Sequence, residues 1–184
     1  MDKNRATTVY FLQKALQREI ERLTEDLVFK QPGTDKPGKL RAFRQQLPIP
    51  ERGLYDPGFE SFEIGDEQDI YPFPWCVIKV DGGSVAAPGE AQKTKLILVI
   101  GIYDDDRQQH GHEDVLLVIE RIMERFAKEP LLEHKFTNIR LDDREWFRWT
   151  LQDAEDDTYP YYFGALELAF SMPGFQREDS HGYA

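Results

Sequence analysis

Lys95 to Tyr103 reads KLILVIGIY, and this run constrains the fold more than any other stretch. Leu96, Leu98, Ile100 and Ile102 fall on one side of an extended chain. Ile97, Val99, Gly101 and Tyr103 fall on the other. Both sides are apolar, which predicts a central strand covered on two faces. Asp104, Asp105 and Asp106 then end it, because Asp disfavours strands and favours turns. A helix is expected from Asp114. Val115, Val118, Ile119, Ile122 and Phe126 form one stripe, with Met123 beside it. Asp114 is the expected N-cap, and Pro130 stops the helix soon after Lys128.

The remaining elements arrange themselves around this unit. Thr7 to Phe29 predicts a first helix. Val9, Leu12, Leu16, Ile20, Leu23 and Leu27 recur at helical spacing, and Lys14, Arg18, Glu21, Arg22 and Glu25 fill the other face. Gln31 to Tyr71 is dense in Pro and Gly, which argues against regular structure. It also holds Leu40, Phe43, Leu47, Ile49, Leu54, Tyr55, Phe59, Phe62 and Ile64, more apolar anchors than a solvated linker needs. It reads as an arm lying either on its own sheet or on a neighbouring subunit. Phe73 to Val80 predicts a strand antiparallel to the central one. Leu131 to Asp143 has no clear period. Glu145 to Leu151 reads as an aromatic strand with Trp146 and Trp149 on opposite faces. Tyr161 to Phe170 is the last strand, with Tyr162, Gly164, Leu166, Leu168 and Phe170 on one side.

This order predicts an α+β fold: a mostly antiparallel four-stranded sheet, two main helices on one face, and a long Pro/Gly-rich arm. Residues 1–184 are expected to form a single domain, with 31–71 the extended arm and 176–184 a loose tail. The apolar second face of the central strand then needs a cover, from the arm or from another copy.

Composition narrows the function classes. No apolar run approaches the roughly 20 residues that span a bilayer. Cys76 is the only cysteine, so no intrachain disulfide forms. Residues 1–50 carry ten Lys and Arg against six Asp and Glu, a net of +4, which leaves −15 on the remainder of a chain whose total is −11. An acidic body disfavours a grip on nucleic-acid phosphate. The basic first quarter offers charge-matched contact between subunits.

The strongest candidate for chemistry is His110-Gly111-His112-Glu113-Asp114, imidazoles and carboxylates suited to zinc or manganese. It matches His-x-His-x-Asp-His of the metallo-β-lactamases at His110, His112 and Asp114, but Val115 stands where the last His belongs. A polar loop is the expected reading, with a metal-dependent hydrolase as the alternative. The acidic groups Asp104–Asp106, Asp142–Asp143 and Asp153–Asp157 lack EF-hand spacing. No nucleophile elbow, Walker loop or Gly-x-Gly-x-x-Gly occurs. Trp75, Trp146, Trp149, Tyr161, Tyr162 and Phe163 lack the basic interleaving of single-strand binders. No catalytic, cofactor or metal residue is therefore assigned, and a non-enzymatic role is expected.

The layout resembles the tail-terminator, or tail-completion, proteins of tailed bacteriophages. The matching features are the helix at Thr7–Phe29, the strand KLILVIGIYDDD, the helix bearing ERIMERF, and the closing strand YYFGALELAF running into Ser171-Met172-Pro173-Gly174. The long 31–71 segment departs from the compact family pattern. The resemblance implies a structural virion protein without an active site. It would form a homo-oligomeric, hexameric ring in the tail or neck, assembled in the host cytoplasm. Its partners would be the tail tube protein and the head–neck connector proteins, with genome DNA passing through unbound and no membrane contact. Another neck or connector subunit of a phage or contractile injection particle is the alternative within this class.

Overall fold

The computed structural model describes residues 8–48, 73–108, 110–152 and 158–174. In chain order the elements are α1 (Val9–Leu23), β1 (Phe29–Gln31), β2 (Thr34–Gly38), β3 (Arg41–Arg44), β4 (Trp75–Val85), β5 (Gln92–Tyr103), α2 (Gly111–Lys128), β6 (Leu131–Leu132), β7 (Phe136–Ile139), β8 (Arg148–Leu151) and β9 (Tyr161–Met172).

β5 lies inside the sheet, as its two apolar faces require. It pairs antiparallel with β4, from Trp75 opposite Gly101 to Val85 opposite Gln92. On its other side it pairs antiparallel with β9 along its whole length, from Gln92 opposite Met172 to Tyr103 opposite Tyr161. β3 extends the sheet beyond β4 and runs parallel to it, Arg41 opposite Trp75. β7 and β8 both pair with the far side of β9, and β6 pairs with β7. The result is a seven-stranded mixed sheet, with β1 and β2 as a separate two-stranded sheet.

This overturns the expected α+β fold with its mostly antiparallel four-stranded sheet and long arm. The protein is mostly sheet, and among the described residues it has only two helices. The error came from reading Pro and Gly density as a bar to strands. Pro37 is exposed in β2, a strand of a two-stranded sheet with an open outer side, where a missing N–H costs little. Leu40 and Ala42 of the expected arm are buried in the main core. Of the described part of that arm, β3 joins the chain's own seven-stranded sheet, and β2 pairs with β1. Residues 49–71 of the arm and the tail 176–184 lie outside the described residues.

Both helices pack on one face. Leu12, Leu16 and Ile20 of α1 and Val115, Val118, Ile119 and Ile122 of α2 are fully buried in one cluster with Leu96, Leu98, Ile100, Ile102, Leu166, Leu168 and Phe170. Gln13 Nε2 donates to the Ile78 carbonyl at 2.9 Å, and Gln17 Nε2 to Ala42 O at 2.7 Å, which fixes α1 over β4 and β3. α1 stops at Leu23, earlier than the apolar period suggests. Thr24 Oγ1 donates back to Ile20 O at 2.9 Å, and Arg121 of α2 donates to Leu23 O at 3.1 Å. Leu27 still packs against the core, and Phe29 is buried there within β1.

The two helices are joined by Glu19, which accepts from Arg22 and Arg125. Arg22 first and Arg125 next hold the Glu19 carboxyl below its usual range, against a desolvation cost.

Asp114 is not the N-cap. α2 begins at Gly111, with His110 in the cap position and Asp114 inside the first turn. A close approach sets this start. A Cβ on Gly111 would lie 2.2 Å from the Tyr162 ring, so only glycine lets the helix end meet β9 there. The expected strand from Glu145 begins only at Arg148, so Trp146 precedes it.

Ile119 has no exposed surface. Ile119→Asp is expected to cost several kcal/mol, since it buries an unpaired charge in the main core. Circular-dichroism melting checks this, and an unchanged melting temperature would show the α2 face is misassigned.

Candidate functional site

The polar convergence nearest to a site lies where β5 runs out. Asp104 is buried, and its backbone N–H donates to Pro160 O at 2.9 Å. Its Oδ1 accepts from the Asp106 N–H at 3.1 Å and from Lys30 Nζ at 2.7 Å. Lys30 also reaches Asp105 Oδ1 at 2.9 Å. Tyr159 donates its hydroxyl hydrogen to the Asp105 carbonyl at 2.8 Å. The Lys30 ammonium holds the Asp105 carboxyl below its usual range, and Asp104 and Asp105 push the Lys30 amine up. This lysine, 74 residues from Asp104 in sequence, ties the β1–β2 hairpin to the end of the central strand.

Beside it runs a groove of about 540 Å³, lined by Lys30, Gln31, Thr34, Lys36, Tyr103 and Asp105 among others. Lys30, its central cation, is already held by two carboxylates. The groove presents hydroxyl, amide, carboxylate and ammonium groups suited to binding polar partners.

The His110, His112 and Asp114 loop does not gather into a ligand set. His110 and His112 have ring centroids 6.5 Å apart, and His110 Nδ1 lies 3.1 Å from Glu113 Oε1. His112 is exposed on the first turn of α2. Among the described residues, no three His, Cys, Asp or Glu side chains converge as a metal site. Asp114 is half-buried; desolvation first, then Asp104 and Glu113, pushes its carboxyl up. Cys76 is fully buried, and burial alone pushes its thiol up to about 12, the signature of an inert core thiol.

The aromatics divide between the two faces of the sheet. Phe73, Trp75, Tyr161 and Phe163 cluster on the face away from the helices, with Phe73–Tyr161 centroids at 5.0 Å and Trp75–Phe163 at 5.9 Å. Val77, Phe43, Leu47, Val99 and Tyr103 complete this second core. Trp75 is only 8% exposed, so it packs rather than presenting a stacking platform. Tyr162 lies on the helix side against Gly111. Trp146 and Trp149 are exposed at 43% and 48%. Arg140 stacks on Trp146 at 5.7 Å.

The sequence reading missed Lys30. The Asp104–Asp106 run marks a place that needs a counter-charge, but nothing in sequence points to a lysine so far upstream. No protein-family model matches the chain, and a search of curated proteins finds no match.

Two outcomes follow from the loop. Asp114→Asn removes a carboxylate that the fold penalises. The raised pKa means that wild-type stability at this site grows as pH falls through that value. The substitution is expected to raise the melting temperature at pH 7, with the advantage gone below about pH 4, where the native carboxyl is protonated in both states. Melting curves across that range check it, and a lower melting temperature at pH 7 would reverse the sign. His112→Ala is expected to stay within about 0.5 kcal/mol of the parent. The purified parent is expected to carry no stoichiometric zinc; elemental analysis finding zinc that the variant loses would make the loop a metal site.

Proposed function

We propose that this chain is a structural virion protein, a phage tail terminator that closes into a hexameric ring, caps the tail tube and joins it to the head–neck proteins. The observation that carries the reading is the packing of the elements behind the family resemblance. α1, β5, α2 and β9 share one fully buried core, with both helices on one face of the paired long strands. These are the elements from which the resemblance is drawn. The polar groove offers binding surface for a partner. The acidic body, net −15 over residues 51–184 of a chain totalling −11, suits a conduit that DNA crosses without being held.

A ring needs two different complementary patches on each subunit, because its interface is heterologous. The experiment is native mass spectrometry with negative-stain imaging of the purified chain over a concentration series. Closed six-membered rings are the expected result. A monomer at every concentration would overturn the proposal.

A further inference from the structure

We propose that the hollow between Lys93, Lys95 and Arg140 is a binding site for a compact, multiply charged phosphate, a diphosphate or longer. It lies on the sheet face away from the helices, at the opposite end of β5 from the Lys30 groove. It does not depend on the ring reading.

The strand registers create this hollow. Gly82, Lys95, Ala169 and Ile139 form one row across β4, β5, β9 and β7. Ser84, Lys93, Ser171 and Thr137 form the next row on the same face. Residues two apart on a strand are about 6.6 Å apart, so the two lysines stand side by side. Their neighbours on both flanking strands are short: Gly82 and Ser84 on β4, Ala169 and Ser171 on β9. A Cβ on Gly82 would meet nothing within 4 Å. Long cationic side chains among short ones leave a space of about 300 Å³, and Arg140, just past the end of β7, also lines it.

These cations are largely unspent. Among the described residues, no carboxylate pairs with Lys93 or Arg140. Lys95 meets Glu167 only at 3.7 Å, and Glu167 is shared with Arg148 at 3.5 Å. The carboxylates nearby are occupied. Asp142 accepts from the Arg144 and Glu145 N–H groups at 2.8 and 3.0 Å and meets Arg148 at 3.4 Å. Glu145 holds Arg148 at 2.7 Å. Arg140 is positioned without losing its charge: one nitrogen donates to the Asp143 carbonyl at 3.1 Å, and the guanidinium lies 5.7 Å from the Trp146 ring centre. The rest of its donor fork is left for a ligand. Asp81, which the β4 irregularity leaves without a partner on β5, is the one carboxylate in the lining. Three cations against one carboxylate is a local excess of positive charge in a chain whose net charge is −11. At the other groove, by contrast, Lys30 is held by two carboxylates.

The number of cations selects the ligand. A group with one negative charge satisfies one of them and leaves two. A diphosphate concentrates several charges in a small volume and offers a separate oxygen to each donor. The lysines act on it as point charges and the arginine as a fork. The Ser84 hydroxyl, also in the lining, adds a neutral donor. A DNA backbone instead spaces single charges along each strand, so it does not fill the hollow.

The test is calorimetric titration of inorganic pyrophosphate into the full chain at about 0.15 M salt, where diffuse surface attraction is screened. Saturable binding of one pyrophosphate per chain is expected. Lys93→Ala and Arg140→Ala are each expected to weaken it about tenfold, the loss of one charge-assisted hydrogen bond, without moving the melting temperature. Asp81→Asn is expected to tighten it. Lys79→Ala removes the same charge from an exposed position of β4 outside the hollow, and is expected to leave binding unchanged. No saturable binding would overturn the proposal. Equal weakening by Lys79→Ala and Lys93→Ala would reduce the effect to net charge and overturn it too, as would weaker binding in Asp81→Asn. Short duplex DNA that displaces pyrophosphate would overturn the choice of a compact ligand. Ring formation, imaged separately, tests the tail-terminator reading and is unaffected by any of these results.

Discussion

The twelve-residue ladder between β5 and β9 is the constraint on which the rest of the structure depends. Once Gln92 is set opposite Met172, the alternation of side chains is fixed for both strands. One register sends Leu96, Leu98, Ile100 and Ile102 together with Leu166, Leu168 and Phe170 toward the helices, all of them fully buried. A slip of one residue would put Glu167 and Lys95 into that core and the leucines outside. At about 1.5–3 kcal/mol for each large apolar side chain buried, no other term competes with this register. The docking of α2 follows from it. Gly164 lies where Val115 comes within 2.6 Å of its absent Cβ, and Gly111 lies against Tyr162. Two glycines, one on each element, bring helix and strand closer than ordinary side chains allow.

The parts legible in the sequence are those in which one residue pattern repeats several times. The β5 run, the α2 stripe and the β9 alternation each give five or more consistent positions, and the antiparallel pairing of β4 with β5 follows from the short connection between them. The short strands carry no such signal. β6 and β7 turn at Glu133 and His134, whose φ values of 48° and 56° are positive without glycine or asparagine to announce them. β3 has four residues and joins in parallel, a pairing that no local turn specifies. The cap of α2 was misread because Asp114 has the right chemistry for an N-cap, whereas the helix start is decided by Tyr162, about fifty residues away. The site was legible only as an acidic run; its lysine depends on tertiary structure.

The two faces of the sheet have different tasks. The helix side holds the main apolar core, with Gln13, Thr94 and Asn138 as buried polar residues beside it. The other face is aromatic at one end, around Phe73, Trp75 and Phe163, and ionic at the other, where Glu167 lies 3.7 Å from Lys95 and 3.5 Å from Arg148. Buried rings at one end and paired charges at the other make this face firm along its length.

The uneven charge of the chain bears on how such neighbours would meet. A basic first quarter beside an acidic body suggests attraction between copies. Much of that attraction is already used within one copy. Arg18 reaches Glu133 at 2.5 Å, and Lys30 reaches Asp104 and Asp105. In the reverse sense, Arg121 of the body reaches Asp26 and Arg125 reaches Glu19. Lys14 and Arg44 both sit over the Tyr10 ring, at 4.6 and 5.2 Å. Exposed pairs contribute only about 0.2–1 kcal/mol each, and a cation already paired contributes less to a second partner. Charge matching therefore serves mainly to fasten the N-terminal quarter to its own sheet.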